Sequence, residues 1–220
     1  MQTIPADYKG IILGTGNCHE TPLYHFPYAR ISGVRGALTM RNIAWDGNPE
    51  IILGDPGLLM PLVYPCKKAP QYDIGIIPHF VDKKRPEILS MVKNTPGKRL
   101  LIIDVLAHPK IVCRQMNLCK CIISSSLHGL ILADAYDIPN VRFKINETQP
   151  EAWYDWKFDD YYSSFSMSGG GHNVLNINTM QSLDNVSQVC VSHYHSVAPL
   201  ITALDAAMRK ISRAISTRRK

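Results

Sequence analysis

Cys121-Ile122-Ile123-Ser124-Ser125-Ser126-Leu127-His128-Gly129-Leu130-Ile131 is the stretch that decides the fold. A short β-branched run stops at three serines. Apolar residues then recur at Leu127, Leu130, Ile131, Ala133, Ala135 and Tyr136, the pattern of a mostly buried helix. Asp137-Ile138-Pro139 ends that helix, and residues 141–143 resume as a strand. Strand, tight turn, helix and strand in this order make a βαβ unit, which requires a parallel sheet.

The same punctuation repeats on both sides. Residues 11–13 run into Gly14-Thr15-Gly16, and residues 51–53 into Gly54-Asp55-Pro56-Gly57. Residues 73–77 are stopped by Pro78, and residues 100–105 form a further apolar run. Helices are predicted over 37–44, 85–94 and 111–118. Strands alternating with helices give an α/β fold with parallel sheets. Pro61, Pro65 and Pro70, with Lys67 and Lys68 between them, mark an interdomain linker. Residues 149–172 are aromatic and polar, from Trp153 to Phe165, and close with Gly169-Gly170-Gly171. From residue 187 a long helix is expected, broken at Pro199. Its apolar stripe is Leu200, Leu204, Ala207, Met208, Ile211 and Ile215.

Composition narrows the classes. The 220 residues are 45% hydrophobic and 19% charged, which excludes a disordered tail, a collagen and a coiled coil. Polar residues interrupt every long apolar run, so no membrane span is expected, and residues 1–10 do not read as a secretory signal. A cytoplasmic protein follows. The net charge of +6 equals the six basic residues after Asp205, namely Arg209, Lys210, Arg213, Arg218, Arg219 and Lys220. A basic tail on a neutral body is not the pervasive charge of a nucleic-acid-binding domain, so no nucleic-acid partner is expected. Two readings of that tail stay open: a solvated terminus, or a basic helix resting peripherally on anionic lipid at the inner membrane face. The six cysteines form no CxxC pair, and His19, Glu20 and His25 around Pro22 match no zinc spacing. Reduced thiols and no metal are expected.

Candidate chemistry concentrates at strand ends. In parallel α/β sheets, ligands bind outside the carboxyl ends of the strands. A helix N-terminus there offers free N–H groups to an anion. Ser124, Ser125, Ser126, Leu127 and Gly129 would form such a cradle, with His128 in the first turn, where imidazole exchanges protons near neutral pH. The alternative is a capped helix with a core histidine. His79, followed by Asp82, lies at another strand end. Arg35, in Gly33-Val34-Arg35-Gly36, either binds a carboxylate or phosphate at two points or is a surface turn arginine. Gly14 and Gly16 suggest a phosphate loop but lack a third glycine and a following Lys-Ser/Thr.

Taken together, several segments resemble the polysaccharide pyruvyl transferase family, in particular its exopolysaccharide ketal pyruvate transferases of xanthan and succinoglycan type. They are Ile11-Ile12-Leu13-Gly14-Thr15-Gly16, Val34-Arg35-Gly36-Ala37-Leu38-Thr39 and Leu53-Gly54-Asp55-Pro56-Gly57-Leu58-Leu59. Next come Ile74-Gly75-Ile76-Ile77-Pro78-His79-Phe80-Val81-Asp82 and Ile123-Ser124-Ser125-Ser126-Leu127-His128-Gly129-Leu130. The series closes with Asp137-Ile138-Pro139-Asn140 and Lys157-Phe158-Asp159-Asp160-Tyr161-Tyr162.

The resemblance implies two Rossmann-like lobes of GT-B type, with no cofactor and phosphoenolpyruvate as the donor substrate. The implied acceptor is a sugar of a bacterial exopolysaccharide or its lipid-linked oligosaccharide precursor. The expected divisions are a partial N-terminal lobe over 1–65, a C-terminal lobe over 66–190 and a helix with a basic tail over 191–220. Met1 stands only ten residues before the Ile11 strand, so the N-terminal lobe is expected to be shortened. Carried over by motif, His128 is the catalytic residue and Arg35 the donor-binding arginine. Many members have Arg at the position of Ser126, and Lys144 or Arg142 would supply that missing charge. The aromatic stretch from Trp153 to Phe165 would be either a sugar-stacking wall or core. A homo-oligomer stays open. Two rival functions remain: a GT-B sugar-nucleotide glycosyltransferase, and a non-catalytic polysaccharide-assembly relative.

Overall fold

The structure is a computed structural model that describes residues 4–20, 23–43, 51–145, 151–167 and 173–217, with the backbone alone of 151–154. Gly169, Gly170, Gly171, Arg218, Arg219 and Lys220 lie outside the described residues, as do the side chains of Trp153 and Tyr154. The chain begins with β1 (Ile11–Ile12), β2 (Arg30–Ile31), β3 (Gly33–Val34), α1 (Ala37–Arg41), β4 (Ile52–Leu53) and α2 (Met60–Val63). It continues through β5 (Tyr72–Ile77), α3 (Pro86–Lys93), β6 (Leu100–Ile102), α4 (Pro109–Met116), β7 (Cys119–Ser124) and α5 (Leu127–Ala135). It ends with β8 (Asn140–Lys144), α6 (Glu151–Tyr162), β9 (Val174–Asn176) and α7 (Tyr194–Thr217). Two compact units result. The first comprises Met1–Leu59, Gln149–Gly170 and Ser196–Lys220, and the second Met60–Thr148 and Gly171–His195.

The second unit carries a five-stranded parallel sheet in the order β6-β5-β7-β8-β9. Alternation along the strands fills both faces. Ile74, Ile76, Cys121 and Ile123 pack with Ile88 and Met91 of α3 on one side. Ile77 and Ile122 pack with Val112, Cys113 and Met116 of α4 and Ala133 of α5 on the other. Because both faces are covered, the strands read as continuous apolar runs. Helix α5 is buried almost all round, which suits a helix packed within such a layer. Its buried Asp134 accepts from Asn140 Nδ2 at 2.7 Å and lies 3.0 Å from His193 Nδ1.

The strand order places a topological switch point at β5 and β7. From β5 the chain passes through α3 to β6 on one side, then through α4 to β7 on the other. Helices that leave in opposite directions open a crevice at the carboxyl ends of these two strands, where open α/β sheets bind ligands. Register fixes those ends side by side, with Ile77 opposite Ser124.

The expected linker between Pro61 and Pro70 proves to be part of the second unit. The chain passes between units at Leu59. Tyr136 Oη lies 2.7 Å from the Tyr64 carbonyl and 3.3 Å from that of Met60, which ties the segment to the end of α5. Burial raises the pKa of that phenol, so it stays a donor.

The first unit is built from short parallel pairings. β1 pairs with β2 and β3 with β4, and the Thr15–Val34 bridge continues the first pairing. Residues 30–34 thus run between residues 11–15 and 52–53. Ile12, Phe26, Val34 and Ile43 form the core on one face. The aromatic stretch folds as α6, whose Phe158, Tyr161 and Tyr162 are fully buried. Phe165 meets Tyr161 and Tyr162 edge-on at 5.4 and 5.7 Å. These rings close the core, so no sugar-stacking wall exists at these positions. Helix α7 runs unbroken through Pro199. That proline is the sixth helical residue, so its missing N–H removes a single bond near the frayed end. Val197 and Leu204 are fully buried, whereas Met208 and Ile215 are exposed. No helix of the described residues is long and apolar enough to cross a membrane.

Candidate active site

The candidate residues collect into two groups, one in each unit. In the second, β5 and β7 end in the turns that carry His79 and Ser124–His128. Their serines are used inside the protein. Ser124 Oγ accepts from the Ser126 N–H at 3.0 Å, and its proton faces the carbonyls of Ile77 and Ser126 at 2.9 and 2.8 Å. Ser125 Oγ accepts from the His79 N–H at 2.8 Å and donates to Asp82 Oδ2 at 2.7 Å. The Asp82 N–H in turn reaches the His79 carbonyl at 2.8 Å. Ser125 is therefore a pin between the two strand ends. Asp82 is what holds it.

Ser126 begins α5 without a side-chain cap; the Gly129 N–H turns back to the Ser126 carbonyl at 3.1 Å, which leaves the N–H groups of Leu127 and His128 as the open donors of the helix start. Leu127 points into the core, at 5% exposed. Gly129 is required because an added Cβ would stand 2.3 Å from Ser124 Oγ. Between these buried neighbours His128 is exposed, and no described residue hydrogen-bonds its ring. The core-histidine reading is thereby removed. The His79 ring is half-buried and lies 4.4 Å from that of Phe80, centroid to centroid.

The strands beyond β7 bring two cations to the same sheet. Arg142 on β8 stands opposite Ser124 and is fully buried, while Lys144 closes β8 opposite Asn176. Among the described residues no three His, Cys, Asp or Glu side chains cluster as a metal site.

In the first unit Arg35 is 7% exposed, so it is not a surface turn arginine. Its Nε donates to Asp160 Oδ2 at 2.8 Å and its Nη2 to the Asn17 carbonyl. Gly16 packs against the guanidinium plane, so the Gly14-Thr15-Gly16 turn makes room for an arginine. Asp160 also accepts from the Thr39 N–H at 2.6 Å and the Thr39 hydroxyl at 2.7 Å. The five-residue α1 has no cap of its own. Its free donors are met by Asp160 of α6 and by Ser163, the residue after that helix, whose Oγ accepts from the Ala37 N–H at 2.8 Å. Burial raises the pKa of the Asp160 carboxyl, against the downward pull of Arg35 and Thr39.

Asp160, Asn17 and Thr39 were not legible as partners of Arg35. Nothing in a polar Asp159-Asp160 pair distinguishes a solvated carboxylate from a buried one. A glycine after the arginine was the available signal. A Cβ at Gly36 would fall 1.6 Å from the Asp160 carbonyl oxygen.

Comparison with known proteins places the chain in a family. An uncharacterised protein of Acanthamoeba polyphaga mimivirus, L143, is 34% identical over 164 residues, which cover 71% of this chain and 55% of that protein. The chain therefore spans about half the length of that relative. No solved structure matches the chain. The polysaccharide pyruvyl transferase family matches residues 29–147, from the strand before Arg35 through the His128 turn to the end of β8. More than half the chain is thus accounted for, and the protein is a member of the polysaccharide pyruvyl transferase family.

Proposed function

We propose that the protein transfers a pyruvyl group from phosphoenolpyruvate to two hydroxyls of a saccharide, forming a ketal. The observation that carries this reading is the exposed imidazole of His128 in the first turn of α5, at the switch point of a parallel sheet. Ketal formation makes two bonds from C2 of the donor to sugar oxygens and one C–H bond at C3. The bond from C2 to the phosphate oxygen breaks. Of the two hydroxyl protons, one is balanced by the proton gained at C3 and the other leaves with phosphate.

One imidazole suffices to move the first of these. As imidazolium, His128 gives a proton to C3, and C2 becomes oxocarbenium-like. As neutral imidazole, it then accepts the proton of the attacking hydroxyl and is ready for another cycle. The open N–H groups that begin α5 stabilise the carboxylate or phosphate of the donor. Buried Arg142, beside Ser124, supplies the positive charge that many family members place at the position of Ser126. Arg35 enters this reading as a positioning group, because its charge is already matched by Asp160. The GT-B arrangement, a cytoplasmic site of action and an oligosaccharide acceptor belong to the same proposal.

A thermal-shift series with phosphoenolpyruvate, pyruvate and nucleotide sugars tests it. A native-state ligand raises the melting temperature by mass action. A rise with phosphoenolpyruvate is expected. A rise with a nucleotide sugar alone would replace this reading by a glycosyltransferase, and no rise with any of them would leave a non-catalytic relative.

A further inference from the structure

Two cysteines of the second unit meet through their side chains. Cys121 lies early in β7 and is buried, and Cys190, which follows the single helical turn of residues 186–188, packs against the same core. Cys190 Sγ stands 4.0 Å from the Ile122 carbonyl, in the residue next to Cys121, and the two thiols hydrogen-bond to each other. Cys121 Sγ is also 3.5 Å from the Asp73 carbonyl. The backbone fixes this meeting. Ile122 is in register with Asn140, and Asn140 exchanges both of its backbone hydrogen bonds with Val191, at 2.9 and 3.0 Å.

A thiol sealed in a core is inert, but Cys121 is reached from one side. A hollow of about 170 Å³ ends on it, lined also by Asp73, Lys98, Lys120, Pro139 and Ser187. Asp73, Cys121 and Pro139 stand at the amino ends of β5, β7 and β8, so the hollow opens at the edge of the sheet opposite to His79 and His128. The hydrogen bond from Cys190 lowers the pKa of Cys121, and Lys98 and Lys120 add to that effect against burial and Asp73. The same hydrogen bond, together with burial, raises the pKa of Cys190. Cys121 is therefore the thiolate of the pair and Cys190 its proton donor. Cys119, two residues before Cys121, is pushed up to about 12 by burial and stays a thiol.

We propose that Cys121 and Cys190 close into a reversible disulfide when hydrogen peroxide enters this hollow. The Cys121 thiolate attacks one peroxide oxygen, an S–O bond forms as the O–O bond breaks, and hydroxide leaves. The Cys190 sulfur then attacks the sulfenic acid so formed; the S–S bond forms, the S–O bond breaks, and the hydroxyl leaves with the Cys190 proton as water. Two thiols are oxidised and one peroxide is reduced to two waters. The hollow admits such a molecule, since the closely similar water occupies roughly 30 Å³ in the liquid. The disulfide fastens the chain before α7 to β7, the strand that ends in Ser124. The inference does not rest on the pyruvyl-transfer reading, because neither cysteine is a donor-site residue.

Peroxide treatment of the folded protein, followed by alkylation, tryptic digestion and mass spectrometry, tests it. Trypsin cuts after Lys120, so Cys119 and Cys121 fall in separate peptides. The Cys121 peptide is expected joined to the Cys190 peptide, two hydrogens lighter than their sum, with both recovered free after dithiothreitol. In Cys190→Ser, Cys121 should be trapped by dimedone as its sulfenic acid. In Cys121→Ser, Cys190 should stay reduced at the same peroxide dose. The joined peptide is read on the parent protein, so the test stands even if a variant does not fold. Oxidation of the exposed Cys18 while Cys121 and Cys190 remain free, a Cys119–Cys190 link in place of the expected one, or dimedone labelling of Cys190 in Cys121→Ser would overturn the proposal.

Discussion

Arg35 and His128 both stand near the carboxyl end of a parallel strand and are both followed by a glycine, Arg35 just before α1 and His128 in the first turn of α5. They end in opposite states. Around Arg35 the charges are matched: the guanidinium pairs through Nε with Asp160 and donates from Nη2 to the Asn17 carbonyl, and the carboxylate also accepts from Thr39. Around His128 the serines are spent on the turn itself, and the imidazole is left in solvent. A buried ion pair holds structure. An exposed titratable ring on a rigid turn can do chemistry. The motif residues of one family thus divide into a buried, paired group and an exposed one, and the spacing of the motifs does not say which is which.

Substitution should separate the two roles cleanly. Asp160→Ala leaves the Arg35 charge buried and the start of α1 open, and should cost about 3–5 kcal/mol of stability. Chemical denaturation of the variant would show it, and a loss below 1 kcal/mol would mean that the pair is not structural. His128→Ala should do the reverse. Turnover should fall by roughly 10²–10⁴ with the melting temperature unchanged, and parent-level turnover would remove His128 from the reaction. Ser125→Ala unpins the two strand ends and strands Asp82, for about 1–3 kcal/mol. It should lower stability and turnover together, unlike either of the first two.

The smallest effect concerns a partly buried carboxylate at the start of β5. Asp73 accepts from Lys120 Nζ at 2.8 Å and from the Arg99 N–H at 2.9 Å, which lowers its pKa to about 2. A carboxyl with a depressed folded pKa stabilises above its ordinary pKa and loses that contribution as pH falls towards the depressed value. The melting temperature of the parent should therefore exceed that of Asp73→Asn slightly at pH 6, with the gap closing between about pH 4 and 2. A gap that widens in acid would contradict the assignment.

What could be read in advance follows from periodicity. The sheet of the second unit was legible because β5, β6 and β7 are largely apolar runs that meet Pro78, Asp104 and the three serines at their ends. Its switch point was not, because the order of strands depends on which side each crossover takes. The strands of the first unit are two residues each, too short for a period. Helix α6 hid itself. Phe158, Asp160, Tyr161 and Tyr162 are buried almost consecutively, so no stripe forms, and one of the four is a carboxylate. At the site, His128 and His79 were visible as residues of reactive type. The internal use of Ser124 and Ser125, and the Arg35–Asp160 pair across 125 positions, exist only in three dimensions.

The central claim is that phosphoenolpyruvate binds beside His128. The ring C–H resonances of the eight histidines can be followed by NMR during a titration with phosphoenolpyruvate, with the His128 signal identified by its absence in His128→Gln. A saturable shift of the His128 signal is the predicted result. Saturable binding that moves other histidine signals and leaves that of His128 in place would contradict it.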